Sequence, residues 1–118
     1  AWLNTSRAIE MKHEISQKQD SSVVAFSGEI DLESSPAARE ILLKCFESTS
    51  NVIVDLSEVS YIDNSGVASL VEALQAAKKN GSRFSLAAAS EPTRRVLELA
   101  RLDKVFTMYD TVDDGLTA

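Results

Sequence analysis

An apolar run at residues 52–56, interrupted only by Asp55, constrains the fold more than any other feature of the sequence. A nearly continuous apolar run of this length is typical of a strand that is covered on both faces. Apolar side chains then recur at helical spacing over residues 67–77, before lysines and a Gly81 that suit the end of a helix. A two-sided strand followed by a helix predicts a parallel sheet with right-handed helical crossovers.

The same alternation extends over most of the chain. Residues 10–18 and 23–26 predict an opening β-hairpin, and a helix is predicted with Ser35 as N-cap and Pro36 at its first position. The other predicted elements are strands at 83–87 and 105–109, a helix at 91–101 and a final helical turn at 112–116. The fold class is therefore α/β, with a mixed, mostly parallel sheet, helices packed on it and an opening hairpin.

Helical spacing also predicts which faces of the helices are buried. The inward positions are Ala38, Ile41, Leu42 and Cys45 in the first helix, Val67, Leu70, Val71, Leu74 and Ala77 in the second, and Val96, Leu97 and Ala100 in the third. On the second helix, Glu72, Gln75 and Lys79 are expected to face water.

Composition limits the classes of partner. The 118 residues suffice for one domain with one core, which we expect at residues 10–118 after an N-terminal tail at residues 1–9. A formal charge of −6 argues against nucleic acid and anionic membranes, and no run approaches the roughly 18–20 apolar residues of a membrane span. The single cysteine, Cys45, predicts a buried free thiol in a reducing compartment. A cytoplasmic protein without membrane insertion is expected.

Residues 63–66 break the pattern between the apolar strand and its helix. Ser65 is expected just before the first turn of that helix, where backbone N–H groups are unpaired and the helix dipole is positive. A hydroxyl there either caps the helix or carries a phosphate. Functional sites of open α/β sheets lie at the carboxyl ends of strands, so the topology places Ser65 at such an edge.

The residues themselves give little support for catalysis. Asp63 stands where a Gly-x-Ser-x-Gly nucleophile motif needs glycine, and the only histidine, His13, lies in the first predicted strand. Asp55 and Asp63, both expected near one strand end, resemble a magnesium site of receiver domains, but the lysine that such domains need after the last strand is missing. We therefore expect Asp63 to bind helix-start N–H groups and Asp55 to face solvent. The sequence predicts no enzyme, no metal and no cofactor.

Three segments nevertheless resemble a known family. Residues 28–31, 54–59 and 62–67, with residues 94–97 and 102–106 near the end, are similar in type and spacing to the STAS domain of anti-sigma factor antagonists. The resemblance covers about residues 10 to 116, nearly the whole chain.

The resemblance implies that Ser65 is phosphorylated by a partner that is both a serine kinase and an anti-sigma factor with a nucleotide-binding, ATPase-like fold. Unphosphorylated antagonist binds this partner and releases the sigma factor, whereas phosphorylated antagonist does not bind. The partner supplies the ATP and Mg²⁺, so this chain needs no cofactor. The positions implied for partner binding are Asp31, Asp63, Asn64, Ser65 and Gly66, with Asn64 where family members often have serine.

Two other functions are weighed against this one. Cytoplasmic STAS subunits of lipid-trafficking ABC transporters resemble the chain in fold and length, dock through the same surface onto an ABC ATPase, and commonly have threonine at the position of Ser65. An enzyme using Ser65 or the pair of Asp55 and Asp63 is the second alternative, which turnover by the isolated domain would favour.

Overall fold

A computed structural model describes residues 10–118 of the chain. In chain order its elements are β1 (Lys12–Lys18), β2 (Ser21–Ile30), α1 (Ser35–Ser48), β3 (Asn51–Ile62), α2 (Asn64–Asn80), β4 (Arg83–Ala87), α3 (Glu91–Leu99), β5 (Thr107–Tyr109) and α4 (Val112–Thr117). Residues 1–9, the predicted tail, lie outside the described residues. The division of the chain into a tail and one domain therefore stays a prediction.

The five strands form one sheet in chain order, β1-β2-β3-β4-β5. Strands β1 and β2 are antiparallel and joined by a two-residue turn, in which Gln19 and Asp20 both have positive φ, as such tight hairpins require. The other three pairs of neighbouring strands are parallel. The predicted mixed, mostly parallel sheet with an opening hairpin is confirmed.

Strand β3 is much longer than the predicted strand at residues 52–56. Its first half is buried on both sides, with Val52, Ile53 and Val54 inaccessible to solvent, as predicted. Its pairing with β4 ends at Asp55, but its pairing with β2 continues to Ile62. The second half was missed because its buried residues recur at every third position rather than every second, where the pairing with β2 is irregular. This extension carries the chain to the edge where α2 begins.

The core has two layers, one on each face of the sheet. The larger cluster includes Val24 and Phe26 of β2, Leu42 of α1, Leu70 of α2 and Leu97 of α3. The smaller cluster lies on the opposite face, and its members are Val23, Ile53 and Ala87, packed against Tyr109, Val112 and Leu116. Burial of neighbouring strand residues in different clusters is the expected result of side chains alternating across a sheet.

Most of the predicted helix faces are confirmed. Leu70 and Leu74 are buried, Val71 is half-buried, and Glu72, Gln75 and Lys79 are exposed. Gly81 ends α2 at a φ of 71°, with the N–H of Ser82 donating to the carbonyl of Ala77 at 2.8 Å, as the glycine signal predicts. Cys45 is buried as predicted, and this burial raises the pKa of its thiol.

The hairpin strands were predicted at residues 10–18 and 23–26, but β1 starts two residues later and β2 extends from Ser21 to Ile30. Three further predicted boundaries are wrong by one or two residues. The N-cap of α1 is Ser34 rather than Ser35, which is the first residue of the helix and is buried. Helix α3 ends at Leu99, because Arg101 takes a left-handed φ of 61°, so Ala100 is exposed rather than inward. Strand β5 begins at Thr107, because the N–H groups of the two preceding residues close a turn on the carbonyl of Leu102.

No helix within residues 10–118 has the length and the apolar character that crossing a membrane requires.

Substitution of Leu74 by alanine tests the buried face of α2. Leu74 is buried, with 8% of its surface accessible to solvent. Leu74→Ala should therefore lower the free energy of unfolding by about 2–5 kcal/mol. Urea denaturation measures the loss, with Gln75→Ala on the exposed face of the same helix as control. A loss below about 0.5 kcal/mol, as expected for an exposed position, would show that this face of α2 is not a core face.

Candidate functional site

The candidate site lies where β2 and β3 end side by side. Ile30 and Ile62 are paired across the two strands, and each is followed by an aspartate, Asp31 or Asp63. The N–H of Asp63 donates to the carbonyl of Ile30 at 3.2 Å, which ties the two strand ends together. The parallel pairing thus brings two carboxylates from distant parts of the sequence to one edge of the sheet.

Asp63 is the N-cap of α2. Its carboxylate accepts a hydrogen bond from the N–H of Gly66 at 3.0 Å, and its carbonyl accepts one from the N–H of Val67 at 2.9 Å. The prediction that Asp63 binds helix-start N–H groups is confirmed. Ser65, expected just before the first turn, instead lies inside it, at the second helical position. The cap therefore does not depend on the Ser65 hydroxyl.

Ser65 is half-buried, while its neighbour Asn64 is exposed. Ser65 opens onto a cleft of about 280 Å³ between the first halves of α1 and α2. The cleft is lined by Ser35, Pro36, Arg39, Ser65, Ala68, Ser69 and Glu72.

Gly66 packs the first turn of α2 directly against the ends of β2 and β3. A Cβ atom at this position would lie 2.5 Å from the carbonyl oxygen of Ile30 and 2.6 Å from a side-chain carbon of Ile62. Real Cβ atoms do not come this close to a neighbour, so any larger residue would push the helix away from the strand ends. Glycine at this position therefore determines how close Ser65 lies to the ends of β2 and β3.

Asp31 holds the turn that leads into α1. Its carboxylate accepts hydrogen bonds from the N–H groups of Glu33 and Ser34, each at 3.1 Å, and the Ser34 hydroxyl lies at the same distance. These donors, the Ser34 N–H first among them, hold the pKa of Asp31 below its ordinary value. The carbonyl of Asp31 also accepts from the N–H of Ser35 at 2.8 Å. The Asp31 carboxylate therefore has a structural role, because it stabilises the turn before α1.

The residues considered for catalysis are not brought together. His13 is exposed on the edge strand β1, opposite Phe26 of β2. The expectation that Asp55 and Asp63 lie near one strand end is wrong, because β3 continues between them for roughly 25 Å. Asp55 is half-buried within β3, rather than facing solvent, and accepts from the N–H of Ser57 at 3.0 Å. Within residues 10–118, no group of three or more His, Cys, Asp or Glu side chains is placed to hold a metal.

Sequence reasoning missed the contribution of α1 to the site. Arg39 is partly exposed in the cleft and lies 3.6 Å from a carboxylate oxygen of Glu72 on α2 and 3.6 Å from one of Glu40. Ser35 and Arg39 are four residues apart and share one face of α1. Their spacing was visible in the sequence, but the packing of that face against α2 was not.

Comparison with known proteins agrees with this architecture. The family model described as the STAS domain matches residues 12–115. The chain is 27% identical over 103 residues to the anti-sigma-B factor antagonist of Bacillus subtilis, covering 87% of this chain and 94% of that protein. A crystal structure of an anti-sigma factor antagonist from Mycobacterium paratuberculosis superposes with a TM-score of 0.82 at 31% identity, covering 92% of each chain. The chain belongs to the STAS domain family.

A relative of another kind is also similar. The chain is 30% identical over 97 residues to the intermembrane phospholipid transport system binding protein MlaB of Escherichia coli, covering 78% of this chain and 90% of that protein. The relatives of this chain therefore include proteins named for sigma-factor regulation and a protein named for phospholipid transport.

Substitution of Gly66 tests the close approach of α2. Gly66→Ala should lower the free energy of unfolding by about 1–3 kcal/mol, because the added methyl group meets a backbone carbonyl that the sheet holds in place. Chemical denaturation measures the loss. Gly115→Ala is the control, since a Cβ there would meet only side-chain atoms, at 3.2 Å or more. Equal stability of Gly66→Ala and wild type would contradict the packing.

The lowered pKa of Asp31 predicts a pH dependence of stability. Its carboxylate holds its proton more weakly in the folded chain than in the unfolded chain, so its stabilising effect is present at neutral pH and is lost as the pH falls through the folded pKa. Asp31→Asn should cost about 0.5 kcal/mol or less at pH 7, because the carboxylate is open to water, and this cost should disappear once the pH falls below the folded pKa of Asp31.

Thermal unfolding across this pH range, with NMR titration of the Asp31 carboxyl group, measures the effect. Glu33→Gln removes one neighbouring exposed charge and serves as control. An Asp31 pKa at or above that of the unfolded chain would refute the assignment of these hydrogen bonds.

Proposed function

We propose that this protein is an anti-sigma factor antagonist whose binding to its partner is switched by phosphorylation of Ser65. The observation that carries the proposal is the position of Ser65 in the first turn of a helix that Asp63 caps. A modification of Ser65 would therefore change the surface without removing a hydrogen bond that the helix start needs. The similarity to named anti-sigma factor antagonists over most of the chain supports the same function.

The charge of a phosphate is large enough to act as the switch. Phosphoserine brings about −1.5 to −2 charges, and a helix N-terminus offsets an anion by only about 0.3–1 kcal/mol. The carboxylates of Asp31 and Asp63 end the two neighbouring strands and add to the negative charge at this edge. Pressing a dianion into an interface without prepared partners costs several kcal/mol, and each 1.4 kcal/mol or so is a factor of ten in affinity.

The proposed partner is a serine kinase that is also an anti-sigma factor, with a nucleotide-binding, ATPase-like fold. The partner supplies ATP and Mg²⁺, and this chain acts as substrate and ligand rather than as an enzyme. The proposed contact surface comprises Asp31, Asp63, Asn64, Ser65 and Gly66. Gly66 is buried, so it contributes by setting the position of its neighbours. Such a partner implies a cytoplasmic location, which stays a prediction.

A second candidate function is that of a docking subunit on the ATPase of a lipid-trafficking ABC transporter. The similarity to MlaB, over most of the length of both chains, favours this alternative. The two functions differ in one testable respect. A docking subunit binds its ATPase whatever the state of Ser65, whereas a switched antagonist releases its partner on phosphorylation.

Binding by variants of Ser65 tests the switch. Ser65→Ala should fold with a loss below about 0.5 kcal/mol, because Asp63 provides the cap, and should bind the cognate kinase constitutively. Protein phosphorylated stoichiometrically at Ser65 should bind at least tenfold more weakly than unmodified protein. Ser65→Asp should also bind more weakly than unmodified wild type. Isothermal titration calorimetry measures the affinities.

Ser50→Asp is the matched control. Ser50 is exposed just before β3, at the opposite end of that strand from the site, so the same added charge should leave affinity unchanged. Equal binding of phosphorylated and unmodified protein to the kinase would rule out the switch. Capture of a transporter ATPase by both forms would establish the docking function in its place.

A further inference from the structure

We propose that Arg39 of α1 is the intramolecular partner of phosphorylated Ser65, and that phosphorylation draws Arg39 away from Glu72. This inference rests on the proposed phosphorylation of Ser65 and adds the residue that receives the phosphate. Both side chains line the same cleft between α1 and α2. Arg39 is the only basic residue among the seven that line it.

The present ion pairs of Arg39 are weak enough to exchange. The nitrogen–oxygen distances to Glu40 and Glu72 are both 3.6 Å, longer than a charge-assisted hydrogen bond. The two carboxylates are more than half exposed, and the Arg39 side chain is 39% exposed. Exposed pairs of this kind contribute little to stability, so leaving them costs Arg39 little.

A phosphate on Ser65 is the stronger ligand for the same guanidinium. It carries up to about two charges, against one for each glutamate, and its oxygens match the paired N–H groups of arginine. The cleft of about 280 Å³ leaves room for a phosphate group between the two helices. Arginine side chains have several rotatable bonds, so Arg39 can exchange partners within the cleft by changing its rotamer.

The exchange would extend the effect of the modification beyond Ser65. Glu72, about two helical turns further along α2, would lose its cation and present an unpaired carboxylate in the cleft. Glu40 would lose its ion pair with Arg39 in the same way. Phosphorylation would thus make the faces of both helices more negative while fixing the phosphate against α1.

The test needs neither the kinase nor the partner. Phosphoserine is placed at position 65 during translation, and phosphorus NMR follows its second ionisation, whose pKa is about 6 in free phosphoserine. A nearby guanidinium favours the dianion, so the pKa in otherwise wild-type protein should lie at least about 0.3 below that in Arg39→Gln. Arg94→Gln is the control, because it removes the same charge from α3, where Arg94 lies 3.9 Å from Asp110.

Glu72→Gln tests the exchange itself. Removing the competing carboxylate should lower the phosphoserine pKa further, and this effect should shrink in the double variant with Arg39→Gln if it acts through Arg39. An undiminished effect in the double variant would show that Glu72 acts on the phosphate directly and would overturn the exchange. Arg39→Lys keeps the charge without the paired N–H groups and should fall between wild type and Arg39→Gln.

Equal phosphoserine pKa values in Arg39→Gln and Arg94→Gln would overturn the proposal. Circular dichroism of each variant checks the fold, and Arg39→Lys supplies the comparison should Arg39→Gln not fold. Because the phosphate is installed without a kinase, failure here leaves the proposed switch intact. Conversely, if no kinase modifies Ser65, the proposed switch fails, but the difference in phosphoserine pKa between the variants would still show the contact with Arg39.

Discussion

The contact between Gly66 and the end of β2 determines the geometry of this edge of the molecule. The first turn of α2 lies so close to Ile30 that even a methyl group would meet its carbonyl oxygen at 2.5 Å. The same carbonyl accepts the N–H of Asp63, which in turn caps the helix. Two strand ends and one helix start are therefore fixed by a few atoms. Ser65 lies between the capping residue and the glycine, so its depth and orientation follow from that contact.

The sequence predicted the architecture because the relevant signals are local. Apolar residues 52–56 and the helical stripe after Gly66 indicated a two-sided strand and its crossover helix, and the structure has both. The second half of β3 escaped prediction because its pairing with β2 is a long-range interaction and its apolar residues do not alternate as in a regular strand. Asp63 and Ser65 are equally suitable N-caps by residue type. Only the backbone path, which brings the Asp63 carboxylate to the Gly66 N–H, decides between them.

The candidate site was also predictable only in part, because local signals and topology can be deduced from the sequence but the packing of one helix on another cannot. Topology alone brings Asp31 and Asp63 to one edge, since the ends of adjacent parallel strands meet there. Arg39 could not be placed at this edge, because its approach to Glu72 and to the cleft depends on how α1 packs against α2. A motif of four consecutive residues indicates a candidate position for a modification. It does not indicate which side chains of a neighbouring helix line the same cleft.

Negative charge at this edge has a structural origin. Two helices begin where β2 and β3 end, and each start uses an aspartate to accept backbone N–H groups, Asp31 before α1 and Asp63 before α2. At the start of α2, Asp63 already accepts the N–H of Gly66, which an arriving anion would otherwise use. A phosphate on Ser65 would therefore gain less from the helix start than it would at an uncapped one. Among the residues that line the cleft, the one whose charge could compensate a phosphate is Arg39, which has exchangeable partners.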